Sequence, residues 1–202
     1  MIRSPVQKNH MNHNAAEIIT FWKQSLPAGL QQHINRVVKI SDSLALAHNL
    51  ERARTAMCAE AHDLCRAMKG EDLLQKAKDL RISITPLDER FPLLLHGPVA
   101  AELLKREGLN DDDVYQGIYY HTTACAGMSD VAKVVFLADK LDPKKQNKYS
   151  YQKDLKDTAI KNLDAAVLMF LNNERDQFIE NEQIIHPLSL QARAALLIDT
   201  KS

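Results

Sequence analysis

Four histidines and two aspartates in this chain sit where apolar residues recur, and together they have the chemistry of a metal site. His33 flanks Val37, Ile40 and Leu44. His62 lies between Cys58 and Cys65, and Asp63 follows it directly. His96 comes just before a helix start at Gly97-Pro98. His121 follows Val114 and Ile118 at helical spacing, and Asp139 comes after Val135, beside an apolar stripe. Taken singly, each has an ordinary explanation. A lone histidine on an apolar face is more often a hydrogen-bonded core residue, and a lone aspartate there caps a helix or pairs with a lysine. Taken together they need a stronger organiser, because buried ionised carboxylates are costly unless they are paired or coordinate a metal. Imidazole with carboxylate suits iron, zinc or manganese better than calcium. Helical proteins build such centres from side chains on facing helices.

The elements that must carry these residues are helical almost throughout. Leu30, Ile34, Val37, Ser41 and Leu44 predict one amphipathic helix. Leu50, Ala53, Met57, Ala61, Leu64 and Met68 predict a second, stopped by Gly70. A third runs from Glu71 to Leu80. Residues 82–97, with Pro86 and Pro92, read as a loop. Gly97-Pro98 then opens a helix that Gly108 ends. Asp111 to Asp113 open the next helix and complement its dipole. Ser129 caps a helix with Val131, Val134, Val135 and Ala138 on one face, and Pro143 stops it. Residues 142–150, with Lys144, Lys145 and Lys148, read as a flexible link. A long helix follows from Tyr151 to Asn181, His186-Pro187 breaks it, and a short helix covers Leu190–Ile198. His186 reads as a loop residue and Lys133 as a solvated one. No alternating run is long enough for a strand. The expected fold is all-α: a flexible tail over residues 1–14, with His10 and His13 solvated, then a single domain over residues 15–200.

Composition narrows the partners. A chain of 202 residues is one large domain or two small ones. Lys plus Arg and Asp plus Glu number 26 each, so no global field attracts nucleic acid or an anionic membrane, although a local basic pocket remains allowed. Six glycines and seven prolines are about half the usual share of roughly 12%, which favours long helices over a turn-rich sandwich. The longest apolar run, Ala165 to Leu171, is far too short for a membrane span. The first residues hold no apolar signal core. Cys58, Cys65 and Cys125 form no C-x-x-C and read as reduced thiols. The expectation is a cytoplasmic protein with neither membrane nor nucleic acid as partner.

The flanking text carries a resemblance. Around the His62-Asp63 doublet stand Leu95-His96-Gly97-Pro98, Tyr120-His121-Thr122-Thr123 with Gly127-Met128, and Ala138-Asp139-Lys140-Leu141-Asp142-Pro143. Over about residues 30–190 this series resembles the HD-domain metal-dependent phosphohydrolases, and among them the YqeK-like symmetrical bis(5′-nucleosyl)-tetraphosphatases. The resemblance implies an HD-type helical bundle with a metal site between helices. It implies that His33, His62, Asp63 and Asp139 hold a metal, typically iron. His96 and His121 hold a second ion or, if that position is empty, contact the phosphates. One or two iron ions are implied, with manganese or another divalent metal as alternatives, and Asp63 has two oxygens with which to bridge them. Arg66, Lys145 and Thr122 would contact the polyphosphate, beside Asp63, His96 and His121. Asp63 or a neighbouring histidine would take a proton. Ile184–Pro187 matches, loosely, a segment packed against the nucleotide.

The implied reaction cuts diadenosine tetraphosphate symmetrically into two ADP. Its rivals are an HD-domain phosphohydrolase acting on another nucleotide and a nucleotide-binding regulator with decayed catalysis, and the six intact ligands weigh against the latter. A homodimer is left open. The chain departs from the family at Ile34, usually Thr, at Ala124, usually Gly, and at Tyr119, often Arg. None of these removes a metal ligand.

Overall fold

The computed structural model describes residues 15–199 and contains only helices and turns among them. The expected tail, residues 1–14 with His10 and His13, lies outside the described residues. The helices are α1 (Ala15–Gln24), α2 (Ala28–Ala47), α3 (Arg52–Ala61), α4 (Gly70–Leu80), α5 (Pro86–Arg90), α6 (His96–Arg106), α7 (Asp112–Tyr120), α8 (Asp130–Lys140), α9 (Gln152–Lys161), α10 (Leu163–Glu180) and α11 (Pro187–Asp199).

The bundle is organised around α8. Ser129 caps it by accepting from the Ala132 N–H. Every residue from Val131 to Lys140 except Lys133 is buried. A helix that is apolar on all sides must be surrounded, and α8 is. Val131, Val135 and Ala138 face a core built with residues of α1, α3, α4, α6 and α7. Ala132, Val134, Phe136 and Leu137 face a second core with α9, α10 and α11. Each fully buried Val, Leu or Phe side chain contributes roughly 1.5–3 kcal/mol. This surrounded helix carries Asp139 near its C-terminal end. Lys133 is not solvated as expected: it pairs with Asp130 at 3.0 Å and with Asp164 of α10 at 2.6 Å. His48 closes α2 and reaches the Ala159 carbonyl of α9 at 2.6 Å.

Four local expectations are corrected. The stripe from Leu50 to Met68 is not one helix: α3 ends at Ala61, and tight turns follow. Their bonds run from Leu64 N to Ala61 O, Arg66 N to Asp63 O and Met68 N to Cys65 O. These turns keep a nearly helical path, so the apolar period survives while the ladder does not. The loop over 82–97 contains α5, where Thr85 and Asp88 form a reciprocal capping box ahead of Pro86. The helix expected from Tyr151 to Asn181 breaks at Asn162. Its backbone is extended there (φ −156°), and its side chain accepts from Ala165 N to start α10. The link over 142–150 is tethered. Asp142 and Tyr149 are buried, and Gln152 Nε2 donates to the Lys140 and Asp142 carbonyls at 2.8 and 3.0 Å.

Candidate metal centre

The six expected ligands converge from five places in the bundle: α2 (His33), the turn after α3 (His62 and Asp63), the first residue of α6 (His96), the turn after α7 (His121) and the end of α8 (Asp139). All are buried except His33, which is nearly so. His62 Nε2 lies 3.6 Å from Asp63 Oδ2 and 3.8 Å from Asp139 Oδ1. His33 Nε2 lies 3.4 Å and 3.1 Å from the same two oxygens. His96 Nε2 stands 2.9 Å from Asp63 Oδ1, and His121 Nε2 stands 3.5 Å from it. Asp63 therefore divides its carboxylate, with Oδ2 toward His33 and His62 and Oδ1 toward His96 and His121.

The other edge of each ring decides what Nε2 can do. His62 Nδ1 donates to the Ala59 carbonyl at 2.7 Å, His96 Nδ1 to Leu93 at 2.5 Å and His121 Nδ1 to Ile118 at 2.8 Å. His33 Nδ1 reaches Asp142 Oδ2 at 2.6 Å. A proton held on Nδ1 leaves the Nε2 lone pair turned inward, which is how a hydrogen-bonded partner prepares a histidine for metal. His96 Nε2 and His121 Nε2 are 2.9 Å apart. Two lone pairs that close repel unless a proton or a cation lies between them. His62 Nε2 and Asp63 Oδ2 are buried with no hydrogen-bond partner. Such orphaned groups are rare and costly in a protein interior. Two triads, His33–His62–Asp139 and His62–Asp63–His121, each have donor atoms within 4.8 Å of one another. The donor set fits one or two divalent transition metals.

Protonation agrees with that role. Burial pushes the His62 ring below its usual range, and burial takes His121 down to about 3. Burial alone would raise the Asp63 carboxyl, but the His62 ring and the bonds from His121 and His96 hold it well below the usual carboxylate range. Burial acts on Asp139 in the same way and is outweighed by the Lys140 charge and the His33 bond. At neutral pH His62 and His121 are therefore neutral beside the ionised carboxylates of Asp63 and Asp139, the forms that bind metal. At His33, by contrast, burial is outweighed by the bonds to Asp139 and Asp142, which raise the ring.

The expected phosphate contacts lie at the rim. Arg66, still partly exposed, has Nε 3.6 Å from Asp63 Oδ2. Lys145 Nζ is 2.5 Å from Asp139 Oδ1, and Thr122 Oγ1 is 3.2 Å from His121 Nε2. His186 lies in the loop just before α11, as expected, and is buried there, with Nε2 3.6 Å from Asp88 of α5. Ile184, two residues earlier, is exposed. A groove of about 650 Å³ lies elsewhere, between the start of α3 and the α6–α7 connection. It holds none of these histidines, and its Arg54 is taken up by Asp111 and Asp113.

Two neighbours of the site were quoted in the sequence motif without a role. Asp142 accepts a two-pronged bond from Arg36 at 2.7 and 2.8 Å while holding His33. Lys140 is buried directly beside Asp139. Ala124, where the family usually has Gly, has φ 61°. That left-handed conformation explains the glycine, and a Cβ there costs roughly 1–2 kcal/mol.

Gly97 is needed for close approach. A Cβ on it would lie 2.7 Å from the Ile118 carbonyl and 3.0 Å from the His121 ring. Gly97→Ala is expected to destabilise the protein by about 1–3 kcal/mol and to weaken metal binding by moving His121. Urea unfolding and metal analysis of the variant check both effects.

Fold and site together define a member of the HD domain family: the chain belongs to it and matches it over residues 30–144. The activity class is that of a metal-dependent phosphohydrolase. Among curated proteins, the chain is 27% identical to the symmetrical bis(5′-nucleosyl)-tetraphosphatase of Halalkalibacterium halodurans, over 93% of this chain and 100% of that one. It is 26% identical to the Bacillus subtilis protein of the same name, over 86% and 92%. A crystal structure described as a "predicted HD superfamily hydrolase involved in NAD metabolism" from Clostridium acetobutylicum superposes with a TM-score of 0.84. It covers 93% of this chain and 98% of its own, at 24% identity, and so supports the all-α HD fold. Among the described residues no helix is long and apolar enough to cross a membrane.

Proposed function

We propose that this protein hydrolyses diadenosine tetraphosphate symmetrically to two ADP, using one or two iron ions, with manganese or another divalent metal able to substitute. The observation that carries the reading is the convergence of four imidazole Nε2 atoms and two carboxylates, each ring oriented by a bond at Nδ1. His33, His62, Asp63 and Asp139 would hold the first ion, and Asp63, His96 and His121 would hold the second. Bound there, a divalent metal lowers the pKa of water and neutralises charge on a phosphoryl oxygen. The Asp63 carboxylate, or a neighbouring histidine, would accept the attacking water's proton. Arg66 and Lys145 neutralise the growing charge on the phosphate oxygens, and Thr122 donates a hydrogen bond to one of them. The leaving ADP phosphate is a weak base, so no strong acid is required. The names of the two tetraphosphatase relatives support the choice of substrate. The protein works in the cytoplasm in this reading, and a dimer is not needed for the site.

Arg66→Ala and Lys145→Ala are expected to weaken polyphosphate binding while leaving metal content unchanged. Each lost charge-assisted bond costs about 1.5–3 kcal/mol, roughly a ten- to hundredfold rise in KM. Loss of metal from either variant would place that residue in the metal shell instead. The reading itself is tested by chelating the protein, returning iron or manganese, and assaying a panel of dinucleoside polyphosphates, nucleoside monophosphates and cyclic nucleotides. Metal-dependent turnover of diadenosine tetraphosphate ahead of the others is expected. Preference for a monophosphate or cyclic nucleotide would overturn the substrate, and no turnover of any would favour a binding regulator.

A further inference from the structure

Lys140 is a lysine only 4% exposed, in a protein where an unpaired buried ammonium would be very costly. Its surroundings are specific. Nζ donates to the backbone carbonyl of His121 and lies 3.2 Å from Asp139 Oδ2. It sits 4.0 Å from the centre of the Phe136 ring and 5.7 Å from that of Phe170. Lys145 near Asp139 and Glu174 on α10 are the other charges that act on it.

The two contacts of the ammonium belong to opposite ends of the donor cluster. Asp139 turns Oδ1 to His33 at 3.1 Å, while Lys140 takes Oδ2. His121 turns Nε2 toward Asp63 and His96, while Lys140 takes its carbonyl. Lys140 thus holds the outer oxygen of Asp139, while Lys145 lies against Oδ1, and it also ties the turn after α7 to the end of α8. The Phe136 and Phe170 rings are both fully buried.

We propose that Lys140 is a positioning residue for the metal centre, setting the orientation of Asp139 and His121 together without touching metal or substrate. The proposal rests on the metal-binding reading of the site. Partners that orient metal ligands typically change metal affinity by 10- to 100-fold when removed.

The test is a cobalt(II) titration of the metal-free full chain, followed by visible absorption, with thermal unfolding measured in parallel. Lys140→Met is expected to raise the cobalt Kd at least about tenfold. Phe136→Leu loosens the same packing but leaves the ammonium in place. It is expected to lower Tm while changing the cobalt Kd less than about twofold. Wild-type affinity in Lys140→Met would overturn the proposal, as would an equal loss in Phe136→Leu. Should Lys140→Met not fold, Lys140→Gln is judged by the same criterion, and failure of both to fold would make the residue structural only. A wild-type protein that binds no cobalt would instead defeat the metal reading beneath it.

Discussion

Asp63→Ala is expected to abolish both metal retention and activity, with turnover falling by at least 10²–10⁴-fold. The reason is geometric. Asp63 is the one residue within 3.6 Å of all four histidine Nε2 atoms. Without it, the His33–His62 side and the His96–His121 side no longer share an anion, and a cation between them would face mainly neutral rings and the single carboxylate of Asp139. The variant should still fold, because removing a buried carboxylate also removes its desolvation cost. Metal content by elemental analysis and kcat on the preferred nucleotide check this. A variant with full metal and full activity would contradict it.

Asp142→Ala is expected to weaken metal binding 10- to 100-fold although Asp142 is not a ligand. Its Oδ2 holds His33 Nδ1 at 2.6 Å, and without it the ring loses its orientation and part of its basicity. The same change leaves Arg36 without its two-pronged partner and costs about 1.5–3 kcal/mol of stability. Asp142→Asn keeps the size and an acceptor and should fall between wild type and alanine. Competition with a chromophoric chelator measures the affinities, and equal values in all three proteins would remove Asp142 from the site.

The six candidate ligands stand out in the sequence because burying them would be costly. Histidines and aspartates beside apolar stripes have to be accounted for, and the structure brings all six together. Lys140 and Asp142 stood in the same motif, yet no spacing rule says that a lysine next to Asp139 turns into the bundle and grips a carbonyl nineteen residues away. Asp142 acts on His33 and Arg36 of α2 across a sequence separation of more than a hundred residues. Such roles depend on helix packing. The break at Asn162 escapes the sequence for a related reason: the apolar pattern runs on from α9 into α10, and only the cap bond that the Ala165 N–H donates to Asn162 Oδ1 marks the new start. The turn at His62 was hidden in the same way, since its tight turns preserve the apolar period of α3.

The proposed reaction turns on which bond of the substrate breaks. Symmetrical cleavage requires the attacking water to lie in line with the central bridging oxygen, so the pocket must hold two phosphates from one adenosine. A site that seats one ADP unit among Arg66, His121 and Lys145, with the base toward Ile184–Pro187, meets this demand. ADP should then also inhibit as product. The deciding measurement is ion-exchange separation of the nucleotides formed early from diadenosine tetraphosphate by the metal-loaded protein. ADP as the sole product is the predicted result, and AMP and ATP in equal amounts would contradict it.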